Sequence, residues 1–138
     1  MLFTESKIKV ADNSGVVFVK IVKVFGSAKP RYARYTDIPL VSTRMVKAKH
    51  SVKASKQILK GQLHKAIVIR TKKPVFFPDS SSVKFFSNSV VMIKKAQPRT
   101  FGGPKLAGTR VIGPVVYNRA LKKKFPKLFS LCSSVIYQ

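Results

Sequence analysis

At 138 residues with a hydrophobic fraction of 45%, the chain has the length of one domain and enough apolar side chains for one core, which excludes wholesale disorder. Its 28 lysines and arginines face 4 aspartates and glutamates, a formal charge of +24 that would make a compact fold repel itself unless a polyanion neutralised it. A single cysteine, Cys132, excludes an intramolecular disulfide and a paired-cysteine zinc site, while the lack of an apolar run near the ~20 residues needed to span a bilayer, or of a long basic amphipathic helix, favours nucleic acid over a membrane as the polyanion.

Met1 to Glu5 is short and contains an acid before the first strand signal. It resembles neither a secretory signal nor an Arg-rich transit peptide, so the protein is expected to be made where it works or to have been trimmed. Lys7-Ile8-Lys9-Val10 alternates polar and apolar as a strand with one buried face does, and Asp12-Asn13-Ser14-Gly15 is a cluster of turn formers. A hairpin into Val16–Phe25 follows, because that run is β-branched and aromatic almost throughout. Gly26 to Tyr35 reads as a basic loop and Asp37 to Val46 as a third strand, with Pro39 tolerable near its start or on an edge. From Lys47 to Lys60 basic residues recur among small ones without an apolar period, which predicts an excursion facing solvent or RNA.

Lys65 to Arg70 returns to strand character. Pro78-Asp79-Ser80 is a turn, since proline presets one backbone angle and aspartate can bond its own main chain. Val83–Phe86 and Val90–Ile93 are expected to frame a tight turn at Ser87-Asn88-Ser89. Lys94 to Gly108 carries too many prolines and glycines for a regular state and reads as an extended loop. Asn118 can cap a short helix through Ala120 to Lys124, Pro126 ends it or opens another, and Leu128 to Leu131 is a second helical candidate. Cys132, among Leu131 and Ile136, reads as a small buried apolar side chain. Many short strands followed by small helices suggest an all-β dominated fold, a small closed barrel with a helical appendix from about residue 118, and one domain over 1–138.

Catalysis is poorly provisioned. Glu5, Asp12, Asp37 and Asp79 lie at the terminus or beside turns, where capping and turn formation account for them. His50 and His64 are too few for a metal site, and Gly102-Gly103-Pro104-Lys105 lacks the spacing of a phosphate cradle. No enzyme activity, metal or cofactor is expected. The basic clusters point instead to RNA, with aromatic rings among them at Tyr32 and Tyr35 that could stack on unpaired bases, and at Phe76 and Phe77, for which a protein contact or local core is the equal alternative.

Three segments carry a resemblance: Ala11-Asp12-Asn13-Ser14-Gly15, Lys65 to Lys73 ending in Arg70-Thr71-Lys72-Lys73, and Gly108-Thr109-Arg110 followed by Gly113-Pro114-Val115. With the Pro78-Asp79 turn between them, the chain from about Ser6 onward resembles the universal large-subunit ribosomal protein fourteen family. The resemblance implies a five-stranded β-barrel with a β-ribbon and C-terminal helices, bound to large-subunit rRNA at the face that meets the small subunit. It also implies contacts with neighbouring ribosomal proteins, a bridge to small-subunit rRNA, and docking of a ribosome-silencing factor on a surface that includes Thr109 and Arg110.

The cations expected to neutralise phosphates are Lys29, Arg31 and Arg34 in the first basic loop, Lys47, Lys49, Lys53, Lys56 and Lys60 in the second, Arg70, Lys72 and Lys73 after the strand, and Arg99, Lys105 and Arg110 in the last. A free-standing, sequence-tolerant RNA-binding barrel acting off the ribosome is the alternative.

Departures from the family pattern carry information. Pro74 stands where the family usually has glycine, Phe76 and Phe77 where it has two arginines, Ser80 where the turn has glycine, and Gly61-Gln62 where it has Gly-Asp. Two phenylalanines cannot pair phosphate, so the ribbon tip is expected to meet a protein or to stack on a base. Drift toward phenylalanine, and toward lysine over arginine, fits an AT-rich organelle genome. The expected location is the large ribosomal subunit in the mitochondrial matrix, with a plastid or the bacterial cytoplasm as the alternative.

Overall fold

The computed structural model describes residues 2–26, 32–47, 58–94 and 104–137. Five strands close a barrel: β2 (Lys7–Val10), β3 (Val16–Lys23), β5 (Leu40–Val46), β6 (Leu63–Arg70) and β9 (Ser89–Met92), in that order around the wall. All neighbouring pairs are antiparallel except β9 and β2, which run parallel and complete the closure. Alternation in β2 turns Ile8 and Val10 inward and Lys7 and Lys9 outward. The barrel interior gathers Ile8, Val19, Ile21, Val41, Ala66, Val68, Val90 and Met92.

β6 and β9 do not alternate in burial: Ala66 through Ile69, and every residue of β9, are buried. A continuous apolar run in a strand means both faces are covered. Here the second face, formed by Ile67, Ile69, Val91 and Ile93, lies under the C-terminal segment, where Val111, Val115, Leu121, Phe125 and Leu128 complete a second core. That segment comprises β10 (Val111–Val116), α1 (Arg119–Lys124), α2 (Pro126–Ser130) and β11 (Cys132–Ile136). The Asn118 side-chain oxygen accepts from the Leu121 amide at 3.1 Å and starts α1, and Pro126 opens α2 at a position where its missing N–H costs nothing. Lys122 to Lys124 occupy the last turn of α1, where positive charge suits the helix dipole.

The two predicted helices are present, and several elements differ from the sequence expectation. β1 (Leu2–Phe3) pairs with β4 (Tyr32–Ala33), so a short strand precedes the first expected one and another interrupts the Gly26 to Tyr35 loop. Two residues are too few to show a period, and both strands form because Leu2 and Ala33 are buried together in the barrel core.

The Ser87-Asn88-Ser89 turn joins no hairpin. β8 (Ser82–Val83) pairs back with β7 (Val75–Phe76) across the Pro78–Ser80 turn, while Val90 and its neighbours join β6 and β2. Asn88 instead accepts from the Lys72 amide at 2.8 Å and ties this corner to the end of β6. β10 and β11, both unforeseen as strands, lie parallel to each other. Ile58 also differs from the reading of the Lys47 to Lys60 excursion as unable to reach a core: it packs into the barrel core. Residues 48–57 of that excursion lie outside the described residues, as do residues 95–103 of the later loop.

Candidate nucleic-acid interface

The three sequence segments singled out above converge at one corner of the barrel. Asp12 is buried, and its carboxylate accepts from the Ser14 amide at 2.8 Å and from the Met92 amide at 2.7 Å. It thus closes its own turn and braces that turn against β9. Asn13 reaches the other way: its side-chain oxygen accepts from the amides of Thr109 at 2.8 Å and Arg110 at 3.0 Å, and its side-chain nitrogen donates to the Thr109 hydroxyl at 2.9 Å. A Cβ at Gly108 would stand 2.9 Å from the Asn13 oxygen and from Asp12 Cβ, so a glycine is what lets the two loops approach.

Arg70, at the end of β6, completes the corner. Its Nη2 donates to the Ile112 carbonyl at 2.9 Å, and its guanidinium fills the space that a Cβ on Gly113 would need. Partial burial pushes the Arg70 pKa down, an effect that the nearby Cys132 opposes. The same burial pushes the Cys132 thiol up to about 11, and its Sγ donates to the Leu128 carbonyl at 3.0 Å. Tyr35 donates to the Val116 carbonyl, and desolvation pushes its hydroxyl pKa well above the ordinary range. Arg70 therefore has a structural task beside any contact with phosphate.

The remaining cations fall into two groups. Arg34, Lys47, Lys60, Lys72, Lys73, Lys105 and Arg110 are exposed, and Thr109 is exposed beside Arg110. Lys29, Arg31, Lys49, Lys53, Lys56 and Arg99 lie outside the described residues. Arg34 is held by Tyr32: Nη2 donates to the phenolic oxygen at 2.8 Å, and the guanidinium sits 5.1 Å from the ring centroid. Its backbone amide donates to Asp37 at 2.7 Å.

At the ribbon formed by β7 and β8, Phe76 is 70% exposed and Phe77 half-buried. Both line a groove of about 320 Å³ with Tyr35, Val116, Tyr117 and Arg119. The turn at the tip is set by Asp79, whose carboxylate accepts from the Ser81 hydroxyl and amide, bonds that hold its pKa below the usual carboxylate value. Ser80 there has φ of +65°, a left-handed conformation that costs an L-residue roughly 1–2 kcal/mol.

The carboxylates are engaged in structure: Asp12, Asp37 and Asp79 accept from backbone amides, and Glu5 pairs with Lys20. His64 shares a hydrogen bond with Gln62, and His50 lies outside the described residues. Among the described residues, no three His, Cys, Asp or Glu side chains are grouped to hold a metal. One feature escaped the sequence reading, which placed its RNA-binding cations in loops and at the end of the Lys65–Arg70 strand. The lysines of β2 and β3 form an outward basic face on the barrel wall, and the alternation of Lys7 and Lys9 with Ile8 and Val10 was its visible signal. A family model described as ribosomal protein L14p/L23e matches residues 1–136.

Proposed function

The chain belongs to the ribosomal protein L14p/L23e family, a structural and non-enzymatic family of the large ribosomal subunit that binds rRNA, and from that premise we propose that it serves a mitochondrial ribosome at the face that meets the small subunit. Acting as one domain, the barrel is a rigid platform whose cations neutralise rRNA phosphates and fix the position of the fold by shape rather than by base-edge readout. The observation that carries this reading is the charge. Four carboxylates cannot neutralise 28 cations whatever their geometry, so the folded protein needs a polyanion in permanent contact.

Thr109 and Arg110, exposed on a loop pinned by Asn13, form a preorganised contact for a ribosome-silencing factor. Phe76, Phe77 and their groove take a neighbouring ribosomal protein or an unpaired base in place of the phosphate that arginines would hold. The mitochondrial setting rests on the composition, with its abundance of phenylalanine and of lysine over arginine.

Sucrose-gradient fractionation of tagged protein from purified mitochondria, with magnesium and after subunit dissociation, tests this. Co-migration with the large subunit in both runs is the expected result. A free pool at the top of the gradient would mean a module acting off the ribosome, and absence from mitochondria would overturn the location.

A further inference from the structure

Lys7, Lys20 and Arg44 line, with Glu5, an open concavity of about 380 Å³ on the outer wall of the barrel. The strand register builds it. Lys7 lies directly opposite Lys20, and Lys9 opposite Phe18. On the other edge of β3, Phe18 pairs with Met45 and Val19 with Thr43, so Arg44 is the extra residue of a β-bulge, and both Arg44 and Met45 face solvent.

Like charges placed opposite each other in an antiparallel ladder repel, and here the repulsion is only half relieved. Glu5, at φ of +69° with its backbone N–H donating to the Ile21 carbonyl at 2.8 Å, pairs with Lys20. Lys7 is fixed over the Phe18 ring at 4.5 Å, and Arg44 is exposed beside them. Three cations against one carboxylate leave a concavity with two uncompensated positive charges, of which Lys7 is already positioned over Phe18 and Arg44 is exposed on the bulge.

The geometry points to this wall as a binding site for the sugar–phosphate backbone of rRNA, with Lys7 and Arg44 taking phosphate and Glu5 holding Lys20 back. It rests on the RNA-binding reading above and extends that reading from the loops to the barrel wall. The charge complementarity selects a polyanion. Because Lys7 already covers Phe18, the site reads backbone rather than stacked bases.

The test is filter binding of the full chain to refolded large-subunit rRNA between about 50 and 200 mM salt, the range over which phosphate neutralisation dominates affinity. The double variant Lys7→Ala with Arg44→Ala should flatten the log–log salt slope by about 1.5, since each phosphate left without its cation removes roughly 0.7–0.9 from it. Lys122→Ala with Lys123→Ala removes the same charge from α1 and should leave the slope within about half a unit of the parent. Glu5→Gln frees Lys20 and should steepen the slope by up to about 0.9, the value of one further phosphate, a gain that a folding defect would not produce.

Equal flattening in the two double variants would overturn the proposal, because net charge rather than this site would then set affinity. Unchanged slopes in Lys7→Ala/Arg44→Ala and Glu5→Gln, with the parent binding steeply, would overturn it while leaving the rRNA reading intact. A parent chain that does not bind rRNA would sink both.

Discussion

Asn13 and Thr109, 96 positions apart in the chain, hold each other through two hydrogen bonds, the Thr109 amide donating to the Asn13 side-chain oxygen at 2.8 Å and the Asn13 side-chain nitrogen donating to the Thr109 hydroxyl at 2.9 Å. The Arg110 amide adds a third bond to the same oxygen. Loop geometry on the exposed face near Arg110 thus depends on a turn at the far end of the sequence, and a change in the turn is transmitted to the surface where a factor would dock.

Asn13→Ala should destabilise the protein by about 1–3 kcal/mol through the loss of three partly solvated hydrogen bonds. Amide exchange at Thr109 and Arg110 should accelerate more than in the barrel strands. Unchanged exchange there would mean that the loop is held by other contacts.

Gly113 and Gly61 have nearly the same left-handed backbone, φ of +88° and +86°, but a Cβ on Gly113 would meet the Arg70 guanidinium while a Cβ on Gly61 would meet nothing. Gly61→Ala should cost about 1–2 kcal/mol from the backbone alone, and Gly113→Ala should cost distinctly more. Denaturant midpoints of the two variants separate strain from clash. Adding Arg70→Ala to Gly113→Ala should then cost less than Arg70→Ala does in the parent chain, the sign of coupling in a double-mutant cycle.

Ser80→Gly removes the left-handed strain at the ribbon tip and should raise stability by about 1 kcal/mol, less the entropy that glycine adds to the unfolded chain. Thermal unfolding reads the change. A lowered melting temperature would show that the Ser80 side chain contributes more than its backbone costs.

Cys132 is held in its thiol form, with its pKa pushed up to about 11 by burial, against the opposing effect of Arg70. A raised thiol pKa favours the neutral form in the folded state. Its stabilising contribution is therefore complete below the unfolded value of about 8.5 and fades as pH climbs toward the folded one. Alkylation by iodoacetamide at mildly alkaline pH should run roughly tenfold or more slower in the folded protein than in denaturant, since the thiolate fraction falls further than nucleophilicity rises. Equal rates would contradict the burial.

Phe76 and Phe77 should be shielded from solvent in a map of the assembled ribosome, seated against protein or a base through the groove they line. A ribbon tip standing free in solvent would remove their proposed role.

Periodicity and turn chemistry in the sequence alone determined the five barrel strands, the Pro78–Ser80 turn, the Asn118 cap and the two short helices, because each depends on neighbours within a few positions. The charge determined that a polyanion is needed, and the marker segments pointed to the family whose model matches the chain. Only the tertiary structure decided partnership. An apolar run reports that a face is buried and not what covers it, so the expected hairpin at Ser87–Ser89 gave way to the β7–β8 ribbon, and the parallel pairs β2–β9 and β10–β11 left no local trace. Arg70 belonged to a basic run in the sequence, yet the fold lays it against Ile112 and Gly113. The bulge at Arg44, which has no signal of its own in composition, depends on the register of β5 against β3, and register is settled by side chains meeting across the ladder rather than along the chain.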